Sequence, residues 1–162
     1  MTETIKFESL PANVEELKAL PEAALDTPFK AAALTVAALC RYPASKDDAI
    51  EMLNFLKGPQ PLSNYEKQFL RDRFMDKDYV PRSYFKGAVP ANNYEPELPY
   101  TVEVFENPYS YQYENYATLW IASGGADSPR QVKLRRKGEQ WFLWEQFLLP
   151  DIRKPAAEDP WA

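Results

Sequence analysis

Histidine is absent from this chain of 162 residues, and cysteine occurs once, as Cys40. Without imidazole there is no Ser-His or Cys-His nucleophile, no histidine metal ligand, and no side chain poised by default near neutral pH. A single cysteine excludes an intrachain disulfide and a thiolate cluster for zinc or iron and sulfur. Its place in an alanine-rich apolar stretch predicts a small buried hydrophobe rather than a reactive thiol. Positive charge is also scarce, with a net charge of −5, so a general electrostatic footprint for DNA or RNA is missing and no nucleic acid is expected as partner. No apolar run is long enough to span a membrane. The start, Met1-Thr-Glu-Thr-Ile-Lys-Phe-Glu-Ser-Leu10, lacks the basic and apolar regions of a secretory signal, so a cytoplasmic location without membrane attachment is expected.

What the chain does contain is apolar and aromatic material in quantity. Hydrophobic residues make up 45% and aromatic residues 14%, against 27% charged, which supplies one core and a wet exterior. One domain of this length buries roughly 70% of the surface its unfolded chain exposes. Fifteen prolines against five glycines predict stiff, fixed connections.

Local signals place the elements. Asn13-Val-Glu-Glu16 has capping-box spacing and predicts a short helix over residues 14–20. Thr27-Pro28 starts a second, over residues 28–42, apolar around most of its circumference as a central helix is. Ser45-Lys-Asp-Asp48 caps a third, whose stripe Ala49, Met52, Leu53 and Leu56 closes at Gly58. Ser63-Asn-Tyr-Glu66 opens a fourth, with Leu62, Phe69, Leu70 and Phe74 on its apolar side. Pro81 to Phe85 reads as a short turn of helix, and the prolines of residues 87–99 make that stretch a bridge without regular structure.

From Tyr100 the apolar period falls from 3.6 to 2. Tyr100, Val102 and Val104, then Leu119 and Ile121, then Val132 and Leu134 alternate with polar or outward neighbours. Lys137-Gly138 supplies a tight turn before residues 139–147, and that last strand is apolar on both sides, with Trp141 and Leu143 on one and Phe142 and Trp144 on the other. Such a strand is covered twice, which points to a groove or a partner. The expected fold class is α+β, four helices ahead of any strand, packed on one face of an antiparallel meander of about four strands. The helical part spans about 13–86, the bridge 87–99, the sheet part 100–147 and a tail 148–162, all in a single domain.

The segments Val80-Pro-Arg-Ser-Tyr-Phe-Lys-Gly-Ala88, Glu106-Asn-Pro-Tyr-Ser-Tyr111, Ser123-Gly-Gly-Ala-Asp-Ser-Pro-Arg130, Gln140-Trp-Phe-Leu-Trp-Glu-Gln146 and Glu158-Asp-Pro-Trp161 resemble an uncharacterised bacterial family, a domain of unknown function. The likeness covers most of the chain from Lys46 on. It implies a bacterial cytosolic origin and carries no activity with it. The hairpin Val132-Lys-Leu-Arg-Arg-Lys-Gly-Glu-Gln-Trp141 also resembles the last hairpin of nuclear-transport-factor-2-like domains, where a curved sheet and helices enclose a cone-shaped pocket. Helices ahead of all strands depart from the usual order of that fold.

Several features bear on function. Tyr109, Tyr111 and Tyr113 stand at alternate positions among Ser, Gln and Asn, the chemistry of recognition surfaces for a sugar, peptide or protein, although alternate tyrosines also extend strands and cover sheet edges. Ser123-Gly-Gly-Ala-Asp-Ser-Pro-Arg130 can let backbone amides approach an anion with Arg130 adding charge, yet it lacks phosphate-loop spacing, and turn-forming residues explain it as an ordinary loop. Lys133, Arg135, Arg136 and Lys137 form a basic run in an acidic protein. Its plain reading is a solvated stripe paired with Glu139, Glu145 or Glu103, and its alternative a local site for phosphate or an acidic peptide. Glu103, Glu106, Glu114 and Glu145 all lie on or beside the sheet, where two of them can supply a paired-carboxylate reaction if held roughly 5 to 10 Å apart across a cleft, a separation the pattern does not fix. Asp47-Asp48 and Asp76-Lys-Asp78 lack the ligand spacing of a calcium loop. Trp161 is expected to dock back on the domain or to plug a neighbouring subunit.

No catalytic residue, cofactor or metal is assigned on these grounds. The expected role is a non-catalytic binding or assembly module that uses an aromatic sheet face, with Tyr109, Tyr111, Tyr113, Trp144, Arg130 and Arg135 as candidate binding residues and a protein partner or a second copy as occupant. The alternative is a small enzyme or ligand binder whose pocket is lined by Tyr, Trp and carboxylates.

Overall fold

Each helix begins where a side chain takes up the free amides of its first turn. A computed structural model of the chain describes residues 1–161 and places α1 at Val14–Lys18, α2 at Pro28–Cys40, α3 at Lys46–Lys57 and α4 at Asn64–Phe74. Asn13 Oδ1 accepts from the Glu16 amide at 2.9 Å, and Thr27 Oγ1 from Lys30 at 3.3 Å. At α4 both halves of a capping box form: Ser63 Oγ accepts from the Glu66 amide at 3.1 Å while Glu66 Oε1 accepts from the Ser63 amide at 3.0 Å. Helix α3 ends at Gly58, whose φ of +68° is a conformation that side-chain-bearing residues rarely adopt.

The sheet has five strands rather than about four: β1 Thr2–Phe7, β2 Tyr100–Phe105, β3 Tyr116–Ile121, β4 Arg130–Lys137 and β5 Gln140–Gln146. It is an antiparallel meander in the order β1-β2-β3-β4-β5, curled into an open half-barrel. The chain is α+β as its pattern implies. The expectation of four helices ahead of any strand is corrected, because β1 precedes them and pairs with β2 from Thr2 opposite Phe105 to Phe7 opposite Tyr100. Only Ile5 and Phe7 of β1 are buried, too short an alternation to stand out without its distant partner.

Alternation decides which side of the sheet is covered. Val102, Val104, Ala117, Leu119, Ile121, Val132, Leu134 and Leu143 are buried beneath α2, which touches every strand and carries no exposed residue from Pro28 to Leu39. On the opposite side Phe105 faces Trp120 across the β2–β3 ladder, and Tyr116, Thr118, Lys133 and Trp144 stay half-buried. The prolines of the bridge leave only a short 3-10 turn, Pro90–Asn92, between Gly87 and Pro99. No helix among the described residues is long and apolar enough to cross a membrane.

Candidate functional site

The β4–β5 hairpin owes its reach to a tight turn and its shape to an irregularity. Gly138, at a φ of +62°, joins Lys137 to Gln140, and the register runs Arg136 opposite Trp141, Arg135 opposite Phe142 and Leu134 opposite Leu143. Then Lys133 pairs with Glu145, so Trp144 is the extra residue of a β-bulge. A bulge re-aims its side chain, and here the indole lands on the outer face beside Arg135. The Arg135 guanidinium lies 4.8 Å from the Trp144 ring centre and 5.4 Å from that of Tyr116, while the two rings meet edge-on at 5.8 Å. Lys133 Nζ sits 5.5 Å over Phe147, and Arg136 stands 5.9 Å over Trp141. Each such contact contributes about 0.5 to 1 kcal/mol at an exposed site, enough to orient a cation and too little to neutralise it.

The expected pairing of this basic stripe with Glu139, Glu145 or Glu103 is not formed. Among the described residues the ion pairs are Met1 with Glu106, Lys30 with Asp26, Lys57 with Glu66 and Arg153 with Asp127, and none involves Lys133, Arg135, Arg136 or Lys137. Lys133 leans on Phe147 although Glu145 is its cross-strand neighbour. The aromatic rings around the bulge offer the flatter, less hydrated surface, and Glu145 remains exposed.

Two depressions flank Trp144. The larger, about 540 Å³, is an open groove between α3–α4 and β5, with Leu53, Leu70 and Leu143 at its base and Tyr65, Phe69 and Phe147 on its walls. The smaller, about 420 Å³, runs past Pro59, Gln60, Arg135 and Phe142. Between them lies Lys57, buried, its Nζ donating to Glu66 Oε2 at 2.9 Å and to the Trp144 carbonyl at 3.1 Å. Burial works to raise the Glu66 pKa, but the Ser63 amide and Lys57 together outweigh it and hold the carboxyl below its ordinary value. Phe142 is sheltered separately from Leu143, since the α3 terminus at Gly58 lies against its ring. The last strand is thus covered on both sides, by α2 within and by the Gly58 turn, Arg135 and Tyr116 without.

Of the six candidate residues, Arg135 and Trp144 come together and the other four do not join them. Tyr109, Tyr111 and Tyr113 lie in turns between β2 and β3, so they do not extend either strand. Asn107 Oδ1 accepts from the Tyr109 amide at 2.8 Å and starts those turns, and the Ser110 carbonyl accepts from Thr118 at 2.9 Å and ties them to β3. Tyr109 and Tyr113 are 71% and 69% exposed, whereas Tyr111 turns its ring towards Trp141, 6.5 Å away. Burial and a hydrogen bond with Glu106 push the Tyr111 hydroxyl up to about 12. Arg130 is spoken for: it donates to the Pro150 carbonyl at 2.7 Å and the Asp151 carbonyl at 3.2 Å, pinning the tail. The neighbouring glycine amides are taken as well, Gly124 by the Ser83 carbonyl at 2.8 Å and Gly125 by Ser123 Oγ at 3.0 Å, so no anion cradle is open there.

The residues that complete the surface around Trp144 were not singled out as a site from sequence: Tyr116 on β3, Phe147 just past β5, and Tyr65 and Phe69 on α4. The outward alternation of Thr118 and Trp120 was the available signal for the sheet. Nothing in the pattern tied α4 to β5. Among the described residues no three Asp, Glu or Cys side chains converge as metal ligands.

With this geometry in hand, the match to known families can be placed on it. The model of the family described as Domain of unknown function (DUF6935) matches residues 9–156, nearly the whole chain. The chain belongs to DUF6935. The matched span takes in all four helices, β2 to β5 and both depressions, and leaves β1 and Trp161 outside it. Neither curated proteins nor solved structures give a match to this DUF6935 chain. The family match covers the hairpin, and the family's description names no activity or ligand for it.

Proposed function

We propose that this DUF6935 chain is a non-catalytic binding or assembly module that takes an anionic partner on the outer face of the β4–β5 hairpin. The observation that carries this reading is Arg135, held against Tyr116 and Trp144 with no carboxylate partner in a chain of net charge −5. A guanidinium lying on a ring keeps its in-plane N–H groups for a carboxylate or phosphate, while the ring removes water from one of its faces. An acidic residue next to an apolar one meets both halves of such a site. Four cations in five residues, Lys133 to Lys137, give this end of the hairpin a local positive potential that steers such a partner.

A pocket enzyme is less well supported. The concave side of the sheet is filled by α2, which leaves the open groove as the place for a small ligand, and the carboxyl beside it, Glu66, is shifted downward rather than poised as a general acid.

The test is fluorescence anisotropy with a labelled peptide rich in Glu and Asp and bearing one Trp, at low and at high salt. Binding that weakens with salt and disappears in Arg135→Glu supports the proposal. Failure to bind at low salt, or equal binding by Arg135→Glu, removes it.

A further inference from the structure

We infer that the anionic partner of this surface is a second copy of the chain, which inserts its own Glu158-Asp159-Pro160-Trp161 segment; the inference rests on the reading of the Arg135–Trp144 surface given above. Of the two placements expected for Trp161, docking on its own domain is not formed: its side chain is 93% exposed, the most of any large hydrophobic residue described. The segment that carries it is fastened. The Arg153 amide donates to the Gly125 carbonyl at 3.0 Å, the Ala157 amide to Asn93 Oδ1 at 3.2 Å, and the Trp161 amide to Asp159 Oδ1 at 2.9 Å. An indole is thus presented to solvent with two carboxylates, Glu158 and Asp159, beside it. Full burial of an aromatic side chain is worth about 1.5 to 3 kcal/mol, so an apolar groove that takes this ring gains that much.

The receiving surface has the complementary pieces in the same proportion. The groove of about 540 Å³ offers aromatic walls, Tyr65 (79% exposed), Phe69, Trp144 and Phe147 (38% exposed), to an indole. Lys133 and Arg135, without carboxylates of their own, stand at its Trp144 and Phe147 side for Glu158 and Asp159. Insertion in the same copy is opposed by the anchoring of the tail. Arg130 holds Pro150 and Asp151 at the start of β4, five residues and roughly 17 Å of strand from Arg135, and later bonds draw the tail onto Gly125 and Asn93. Two copies can instead exchange tails, and two identical insertions close a two-fold dimer.

The experiment is sedimentation equilibrium of the full chain over a wide concentration range, with Trp161→Ala and Arg135→Glu, each checked by thermal melting for an unchanged fold. The wild type should show a concentration-dependent dimer. Each variant alone loses the contact in both insertions, about thirtyfold apiece, so its dimer should dissociate about a thousandfold more readily or the chain should stay monomeric. Mixing the two variants should restore a heterodimer, since one intact tail then meets one intact surface. A wild type that stays monomeric, or a Trp161→Ala chain that dimerises as well as wild type, overturns the inference. If the wild type is monomeric but still binds the acidic peptide through Arg135, self-insertion falls and the anionic-partner reading stands; if it does neither, both fall.

Discussion

Replacing Gly58 by alanine tests whether the end of α3 shelters Phe142 as the geometry requires. Two separate penalties follow from the structure. The backbone there has φ +68° and ψ −124°, a region that suits glycine, and holding a residue with a side chain in a sparsely populated region costs about 1 to 3 kcal/mol. A Cβ built at Gly58 would lie 2.5 Å from Phe142 Cδ1 and 2.7 Å from Cγ, so the ring or the turn must also move, at about another 1 to 3 kcal/mol. The sum, about 2 to 6 kcal/mol, is a large part of the 5 to 15 kcal/mol typical of a folded domain. It corresponds to a fall in Tm of about 5 to 20 °C for a chain of this length. Urea unfolding of Gly58→Ala, Phe142→Ala and the double variant separates the parts. The steric share should vanish when Phe142 is already truncated, leaving the backbone share, so the coupling energy should be at least about 1 kcal/mol. Additive losses within about 0.5 kcal/mol would show that Gly58 and Phe142 do not press on one another, and the two-sided cover of β5 would lose its outer half.

Lys57→Met leaves the Trp144 carbonyl without its donor and should cost about 1 to 3 kcal/mol in urea unfolding. Because Glu66 is held below its ordinary pKa, its contribution is present at neutral pH and is lost as pH falls through the depressed value; Lys57→Met should flatten that acid limb of the stability curve. Tyr84→Phe removes the hydroxyl that donates to the buried Leu148 carbonyl and should cost about 1 to 3 kcal/mol, with secondary structure by circular dichroism unchanged. Cys40 is half-buried, and its burial pushes the thiol up to about 12, so a disulfide reagent at mildly alkaline pH should label it more slowly in the native chain than in urea; equal rates would refute that shielding.

How much of this was legible depends on the range over which each signal acts. Asn13, Thr27, Ser45 and Ser63 announce helix starts because a cap is decided within four residues, and each of the four side chains does accept from the amide three positions on. Ends are softer: α1 and α2 stop two residues early, at Lys18 and Cys40, since the approach of Pro21 and Pro43 already removes the helix's continuation. Strand β1 was missed because its stability lies in a ladder with β2, far away in the sequence, not in its own six residues. The split of β5 into Trp141 and Leu143 inside, Phe142 and Trp144 outside follows from period 2 and was readable. That Trp144 occupies a bulge was not, since an inserted residue leaves no mark on the composition of a strand, and neither was the separation of Arg135 and Trp144 from Tyr109, Tyr111, Tyr113 and Arg130.

The same edge strand decides how a partner can bind. An edge with unpaired amides and carbonyls invites another strand to add to the sheet. In β5 this invitation is largely withdrawn by the chain itself: the Trp141 amide donates to the Leu25 carbonyl at 2.8 Å, the Trp144 carbonyl accepts from Lys57 at 3.1 Å, and the Gly58 turn covers Phe142. The second of these positions, Trp144, is itself the bulge, which breaks the even spacing a new strand would need. What remains available is side chains, Arg135 and Trp144 foremost, so recognition should run through rings and cations rather than through backbone pairing. Hydrogen exchange tells the two modes apart. With an acidic peptide bound, the Trp144 indole fluorescence should change while the β5 amides exchange as before; new protection along residues 141–146 would mean strand addition, and the side-chain account of this surface would be wrong.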